Sequence, residues 1–268
     1  MANQSPPIVL IHGLWTIPSC WSLFKNYLEE RGHTVYAPAW PRIQDDVEVM
    51  WKNPSMLKGM GITEIVDYYE KYIRSLSEPP VLIGHSFGGL IVQLLLDRGL
   101  GCAGVAIASA SPKGVFKITF SMIKSLSPLV FNPFNYYKTV TPAFDKFYYA
   151  VANTLPEQEA RELFDDLTIP ASGRLIFQAA TANLNPWAAS KVNYRNNQRA
   201  PLLLIACSND HICPAKLIRE NYKNYRHSSA VTEYKEFVGP CHYIIRVENW
   251  CEVAMYAVSW AEEKISCL

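Results

Sequence analysis

The stretch VLIGHSFGGLIVQLLLDRG, residues 81–99, joins a short apolar run to a long apolar segment through a serine flanked by glycines. The run at 81–83 has the composition of a buried strand, and the segment after Ser86 predicts a helix that ends at Gly99. A strand, a sharp turn and a helix in direct succession are typical of a parallel α/β sheet. In such a turn, small neighbours let the serine stand exposed above the sheet.

Six short apolar runs along the chain predict buried strands, and helical patterns separate most of them. The runs are Ile8–Ile11, Thr34–Pro38, Val81–Ile83, Val105–Ala108, Leu202–Ala206 and Val231–Phe237. The last run alternates apolar and polar residues, which favours a place near the sheet edge. The predicted fold class is therefore α/β, with a mostly parallel sheet of about six strands flanked by helices.

Residues 112–187 break this alternation, because they contain no convincing buried strand. Their first part is rich in aromatic residues, and LPEQEARELFDDL predicts an amphipathic helix after Pro156. We interpret 112–187 as a helical lid inserted before the penultimate strand. Residues 1–111 and 188–268 would then form one core domain.

Composition excludes several classes of function. The formal net charge of the 268 residues is +1, with no run of basic residues, which argues against nucleic-acid binding. No apolar run is long enough to span a membrane, and the N-terminal stretch does not resemble a leader, so we expect a cytoplasmic protein. The oligomeric state stays open.

Seven cysteines with irregular spacing favour reduced thiols. Cys207, His211, Cys213, Cys241 and His242 lie close together in sequence, but the short spacing of a zinc knuckle is absent. We predict no metal and no cofactor.

Residues 84–88 match the pattern G-x-S-x-G, which in this context suggests that Ser86 is a nucleophile. The alternative is an ordinary glycine-rich turn that binds phosphate at a helix N-terminus. A serine needs a base to become a nucleophile. His242 follows the last predicted strand, in a loop that can lie over the same C-terminal edge of the sheet as Ser86. Asp210 ends the penultimate strand and could orient that base, or it could cap the helix that follows.

Acyl chemistry also needs donors for a developing oxyanion. The turn at His12-Gly13 would free the backbone N–H of Leu14, and Phe87 offers a second N–H at the start of its helix.

The motifs IHGLW, IGHSFGG, SNDHICP and GPCHY occur in an order that resembles the α/β-hydrolase fold superfamily, as a serine esterase or lipase-like member. The resemblance covers nearly the whole chain. It implies that Ser86 is the nucleophile, His242 the base and Asp210 the acid. It also implies that the N–H groups of Leu14 and Phe87 form the oxyanion hole.

The function expected from these residues is hydrolysis of a carboxylic ester, lactone or thioester of an apolar small molecule through an acyl-enzyme. A C–C bond hydrolase, an acyl-transfer or cyclisation enzyme, and a ligand receptor on the same scaffold remain alternatives. The aromatics of the lid could contact substrate or form the lid's own core. The candidate substrate-binding residues are Trp15, His85, Phe116, Phe120 and Trp187.

Overall fold

The computed structural model describes residues 5–267, and its centre is a six-stranded parallel sheet. The strands are β1 (Ile8–Ile11), β2 (Val35–Tyr36), β3 (Val81–His85), β4 (Ala103–Ile107), β5 (Thr139–Val140), β6 (Ala171–Ser172), β7 (Leu202–Cys207) and β8 (Thr232–Phe237). The order in the large sheet is β2-β1-β3-β4-β7-β8, while β5 and β6 form a separate antiparallel pair. The prediction of an α/β fold with about six strands is confirmed.

The central strands are buried because helices cover both faces of the sheet. Every residue of β1, β3, β4 and β7 is buried, which agrees with their apolar composition. Residues of β8 are only partly buried, and this strand lies at the sheet edge as its alternating sequence predicted.

Ten α-helices connect and cover these strands in residues 5–267. They are α1 (Ser22–Glu29), α2 (Val47–Lys52), α3 (Ile62–Arg74), α4 (Phe87–Asp97), α5 (Phe120–Val130), α6 (Phe144–Val151), α7 (Glu157–Leu167), α8 (Gly173–Ala180), α9 (Ala215–Asn224) and α10 (Trp250–Ser266). None of these helices is both long enough and apolar enough to cross a membrane.

Helix α4 is buried along most of its length, since all residues from Phe87 to Leu96 are inaccessible to solvent. It packs against β3, β4 and α3. Helix α3 is amphipathic and buries Ile62, Ile65, Val66 and Tyr69 on one face. A rigid helix therefore starts directly after Ser86.

Helices α5 to α8 lie between β4 and β7, where the sequence predicted a helical insertion. The small pair β5–β6 was not predicted, because two-residue strands leave no periodic pattern in a sequence. The insertion has its own packing, with the rings of Phe147 and Phe164 5.1 Å apart between α6 and α7. The Nε1 of Trp15 donates to the carbonyl of Val140 at 3.0 Å and ties the insertion to the loop after β1.

Candidate active site

Ser86 occupies a strained turn between β3 and α4. Its φ of 55° and ψ of −118° lie in a region that costs a residue with a side chain about 1–3 kcal/mol. Three backbone hydrogen bonds hold this conformation. The Ser86 N–H donates to Ile107 at 2.9 Å, and the Ser86 carbonyl accepts from Gly89 at 3.0 Å and Ala110 at 2.9 Å. Residue 86 is thus an elbow rather than a flexible glycine-rich loop.

The glycines around Ser86 are required by close approach of backbone to backbone. A Cβ at Gly84 would collide with the carbonyl of Gly88, and a Cβ at Gly88 would collide with the carbonyl of Ile11. A Cβ at Gly89 would lie 2.7 Å from the Cβ of Ser109. The G-x-S-x-G-G spacing therefore lets α4 pack directly on β1 and β4.

We expect Gly88→Ala to destabilise the fold by about 3 kcal/mol, because the added methyl meets rigid backbone. Urea unfolding followed by circular dichroism measures this change as a lower midpoint. Gly61→Ala is the matched control, since its Cβ would meet only the ends of two long side chains, those of Arg174 and Gln178, and no backbone. Equal midpoints for the two variants would contradict the assigned packing.

His242 and Asp210 form a buried pair at the carboxyl edge of the sheet. The Nδ1 of His242 lies 2.7 Å from the Oδ2 of Asp210, and both side chains are almost inaccessible to solvent. A carboxylate only accepts hydrogen bonds, so Nδ1 carries the proton. In neutral His242 the Nε2 lone pair is then free, and His242 lines the same cavity as Ser86.

Asp210 also caps the turn that leads to α9. Its Oδ1 accepts from the backbone N–H of Ile212 at 2.9 Å and of Cys213 at 2.7 Å. The two interpretations of this aspartate from sequence were capping and orientation of a histidine. The geometry supports both at once, one for each carboxylate oxygen.

The loop after β1 is held against Ser86 by His12. The Nε2 of His12 accepts from the Trp40 N–H at 3.2 Å, so its Nδ1 donates to the Gly13 carbonyl at 2.9 Å. Burial lowers the pKa of His12 to about 4, which keeps the ring neutral at pH 7. A Cβ at Gly13 would lie 3.0 Å from the Cβ of Ser86.

The backbone N–H groups of Leu14 and Phe87 lie on the two segments that meet at Ser86. Within residues 5–267, neither donates to a protein acceptor. Phe87 is the first residue of α4, where N–H groups have no partner inside the helix. Both amides are therefore available to an oxygen of a bound molecule.

His85 holds the backbone of His242. Its Nε2 donates to the His242 carbonyl at 2.8 Å, and the two ring centroids are 4.9 Å apart. Burial, with a smaller contribution from the nearby His242, lowers the pKa of His85 to about 3, so His85 stays neutral at pH 7. This contact between His85 and His242 was not evident from the sequence.

Two cavities meet at Ser86. The small cavity has a volume of about 30 Å³, and the large cavity has a volume of about 200 Å³. The small cavity is lined by Leu14, Trp15, Thr16, His85, Ser86, Phe147, Val151, Leu167, Thr168, Ile212, His242 and Tyr243. The lining of the large cavity includes Leu14, Trp15, Ser86, Phe87, Ser111, Val115, Lys117, Met122, Leu126, Ile176, Asn183 and Ile212.

Of the five predicted substrate-binding residues, Trp15 and His85 line a cavity beside Ser86. Phe116, Phe120 and Trp187 line neither cavity and are 67%, 79% and 86% exposed. Their placement does not support the expected substrate contact, because an aromatic-rich sequence does not tell which face of an insertion points inward.

Several cavity residues were missed by sequence reasoning. Met122 and Leu126 line the large cavity from α5, and their spacing of four residues could have marked the inner face of that helix. Tyr243 lines the small cavity next to His242. No group of three or more His, Cys, Asp or Glu side chains in the described part of the chain is arranged to hold a metal ion.

This arrangement can support nucleophilic chemistry. A serine can act as a nucleophile when a histidine takes its proton and a carboxylate orients that histidine. Here Ser86 lies on the elbow, and Asp210 binds Nδ1 of His242 and leaves Nε2 as the base. Two free amides beside the serine can bind an oxyanion.

Comparisons with solved structures agree on the fold. A monoacylglycerol lipase from Paleococcus ferrophilus is 20% identical, with a TM-score of 0.64 over 98% of this chain and 96% of its own. Polyneuridine aldehyde esterase is 18% identical, with a TM-score of 0.64 over 96% and 100%. A methylesterase from Arabidopsis is 13% identical, with a TM-score of 0.66 over 96% and 99%.

Sequence comparisons point the same way. Norfluorocurarine synthase 2 from Strychnos sp is 29% identical over 100 residues, which make up 35% of this chain and only 34% of that protein. A model of the alpha/beta hydrolase family matches residues 8–240, a span that contains β1, the Ser86 elbow and Asp210. With the sheet order, the elbow and the buried Asp210–His242 pair, this match shows that the chain belongs to the alpha/beta hydrolase family.

Proposed function

We propose that this protein is a serine hydrolase that cleaves a carboxylic ester of an apolar small molecule through an acyl-enzyme. The observation that carries the proposal is the 2.7 Å contact between Asp210 and His242 Nδ1, which leaves Nε2 free in the cavity of Ser86. A base oriented in this way can take the proton of a serine hydroxyl.

The proposed reaction has two halves. His242 Nε2 takes the Ser86 proton while Oγ bonds to the ester carbonyl carbon, and the same proton passes to the alcohol oxygen as the C–O bond breaks. Water then attacks the acyl-enzyme with His242 as base, and the carboxylic acid leaves as Ser86 regains its proton. The amides of Leu14 and Phe87 would bind the oxyanion in both halves.

The two cavities suggest how an ester would lie. The leaving alcohol must reach His242 for its proton, and His242 lines the small cavity but not the large one. A volume of about 30 Å³ suits a small alkyl group. The acyl group would then occupy the large cavity of about 200 Å³, whose lining is mostly apolar.

The preferred substrates would therefore be esters of a small alcohol with a larger apolar acid. One of the proteins that share the fold is by its name a methylesterase, which is compatible with this substrate class. Residues 112–187 would serve as the lid, because Met122, Leu126 and Ile176 roof the large cavity and Phe147 and Val151 wall the small one.

A fluorophosphonate probe tests the assignment of the nucleophile. We expect rapid covalent labelling of the wild-type protein and none of Ser86→Ala. Ser111→Ala is the matched control, since Ser111 also lines the large cavity but is not on the elbow. Labelling that survives Ser86→Ala would exclude this serine as nucleophile, and labelling without turnover of any ester would favour a ligand receptor.

Leaving-group size provides a prediction about specificity. We expect methyl esters of an apolar acid to exceed the corresponding butyl esters in kcat/KM by roughly 10- to 200-fold, because the small cavity excludes the extra methylenes. The ratio is checked by measuring kcat/KM for the methyl ester and the butyl ester of the same p-substituted phenylacetic acid.

A crossed pair of variants assigns each cavity to one part of the substrate. Val151 lines only the small cavity and Val115 only the large one. We expect Val151→Ala to improve kcat/KM for butyl over methyl esters without changing the preference for acyl length. Val115→Ala should do the reverse, and an exchange of the two effects would reverse the proposed orientation.

A further inference from the structure

The outer surface of residues 116–137 exposes an unusual number of large apolar side chains. Six of them, Phe116, Ile118, Phe120, Phe131, Phe134 and Tyr137, are between 67% and 79% exposed. We refer to these six side chains as the apolar face. Single exposed apolar residues are common in proteins, but a group on one segment marks a surface for interaction.

Helix α5 has its cavity-lining side chains on one side and exposed side chains on the opposite side. Its inner side carries Met122 and Leu126, which line the large cavity. Phe120, Lys124 and Phe131 follow at spacings of four and seven residues, which place them together on the outer side. An ordinary surface helix is polar on its outer side, whereas α5 begins with the exposed Phe120 and is followed directly by the exposed Phe131.

The charged side chains of the segment that carries the apolar face are all positive. Residues 112–144 contain four lysines, at 113, 117, 124 and 138, and no aspartate or glutamate. Lys216, Arg219 and Lys223 of α9 line a surface depression together with Phe116 and Ile118. Glu220 also lines it, but its carboxylate accepts hydrogen bonds from the N–H groups of Phe116 and Lys117.

We propose that the apolar face docks on the surface of an anionic phospholipid bilayer. Exposed aromatic rings are favourable at the depth of lipid headgroups, and lysines beside them are attracted to anionic lipid. Because residues 112–144 contain no carboxylate, no side chain of this segment would be repelled by such a surface, and Glu220 is the acidic residue that lines the depression. Aromatic rings with one sign of charge favour a lipid surface over a protein interface, where lysine is depleted.

The docked face would also bring the large cavity to the bilayer. Lys117 and Ile118 line both the surface depression and the large cavity, so the two share a wall there. Docking itself needs no turnover, so its test is independent of the proposed hydrolase activity.

Vesicle sedimentation with the full chain tests the proposal. The probes are vesicles of phosphatidylcholine alone and of phosphatidylcholine with about one third phosphatidylglycerol. We expect sedimentation with the anionic vesicles, a decrease at high salt and little sedimentation with phosphatidylcholine alone. No binding to anionic vesicles would overturn the proposal.

Variants assign the binding to the apolar face. We expect the double variant Phe120→Ser, Phe131→Ser to lower the partition coefficient roughly tenfold or more, because two rings no longer enter the interface. Lys138→Glu with Lys216→Glu should lower it by a similar factor on anionic vesicles only.

The matched control is Met255→Ser with Lys71→Glu, which removes an exposed apolar side chain of α10 and reverses an exposed charge of α3. We expect it to bind like the wild type. Equal losses in the control, in the phenylalanine double variant and in the lysine double variant would overturn the proposal. So would sedimentation equilibrium in which the wild type is a dimer and the Phe120→Ser, Phe131→Ser variant is a monomer, since the face would then be a contact between two copies.

Discussion

We expect Ser86→Ala to lower kcat for ester hydrolysis by roughly 10⁴- to 10⁶-fold while the fold stays intact. The variant removes the oxygen that would bond to the acyl carbon, and no nearby hydroxyl is held on the elbow in its place. The elbow itself is maintained by backbone hydrogen bonds of residue 86 to Ile107, Gly89 and Ala110, which alanine preserves. Steady-state kinetics on a methyl ester measure the loss.

The unfolding midpoint of Ser86→Ala serves as its internal control. We expect it to equal or slightly exceed that of the wild type, because the alanine side chain is smaller and makes no new contact. Ser111→Ala should retain kcat within a small factor, since Ser111 lines the large cavity but is not on the elbow. Near-complete activity of Ser86→Ala would contradict the proposed mechanism.

Asp210→Asn should lower kcat by roughly 10⁴-fold, because the asparagine would hold His242 in the wrong tautomer. The N–H groups of Ile212 and Cys213 both donate to Oδ1, so the amide oxygen of asparagine would take that position. Its NH₂ group would then face His242 Nδ1 and force the ring to accept there. The proton would move to Nε2, and the histidine could no longer take a proton from Ser86.

Asp46→Asn is a matched control for this change. Asp46 caps α2 through the Val49 N–H at 3.0 Å, but it has no histidine partner. We expect normal kcat for Asp46→Asn and nearly normal stability for both variants, because asparagine caps as well as aspartate. Equal losses of kcat in the two variants would show that capping, rather than the tautomer, explains the effect of Asp210→Asn.

The central sheet was largely predictable because its strands are continuous apolar runs. Ile8–Ile11 is β1 as predicted, and the run at 81–83 extends to His85 in β3. The predicted strand at 34–38 shortens to Val35–Tyr36, since this edge strand pairs with β1 alone. The spacing of apolar residues over about 247–265 predicts a last helix, but α10 begins only at Trp250, after a left-handed residue at Asn249.

The candidate site was predictable where chemistry depends on residue type at a strand end. Ser86, Asp210 and His242 each follow or end a predicted strand, and parallel strands bring such residues to one edge. The contact from His85 to the His242 carbonyl could not be predicted, because it joins the end of β3 to a loop 157 residues away. The same holds for the Trp15–Val140 hydrogen bond, which spans 125 residues.

By itself the sequence determined the class of fold and the elbow at Ser86, because local apolar periodicity and glycine spacing lie in consecutive residues. The order of four motifs along the chain indicated the family by resemblance. Only the tertiary structure decided which side chains of the insertion face the cavities and which face solvent, and that the two cavities beside Ser86 differ in volume. These properties depend on how distant segments pack, so Met122 and Leu126 lie inside while Phe120 and Phe131 of the same region lie outside.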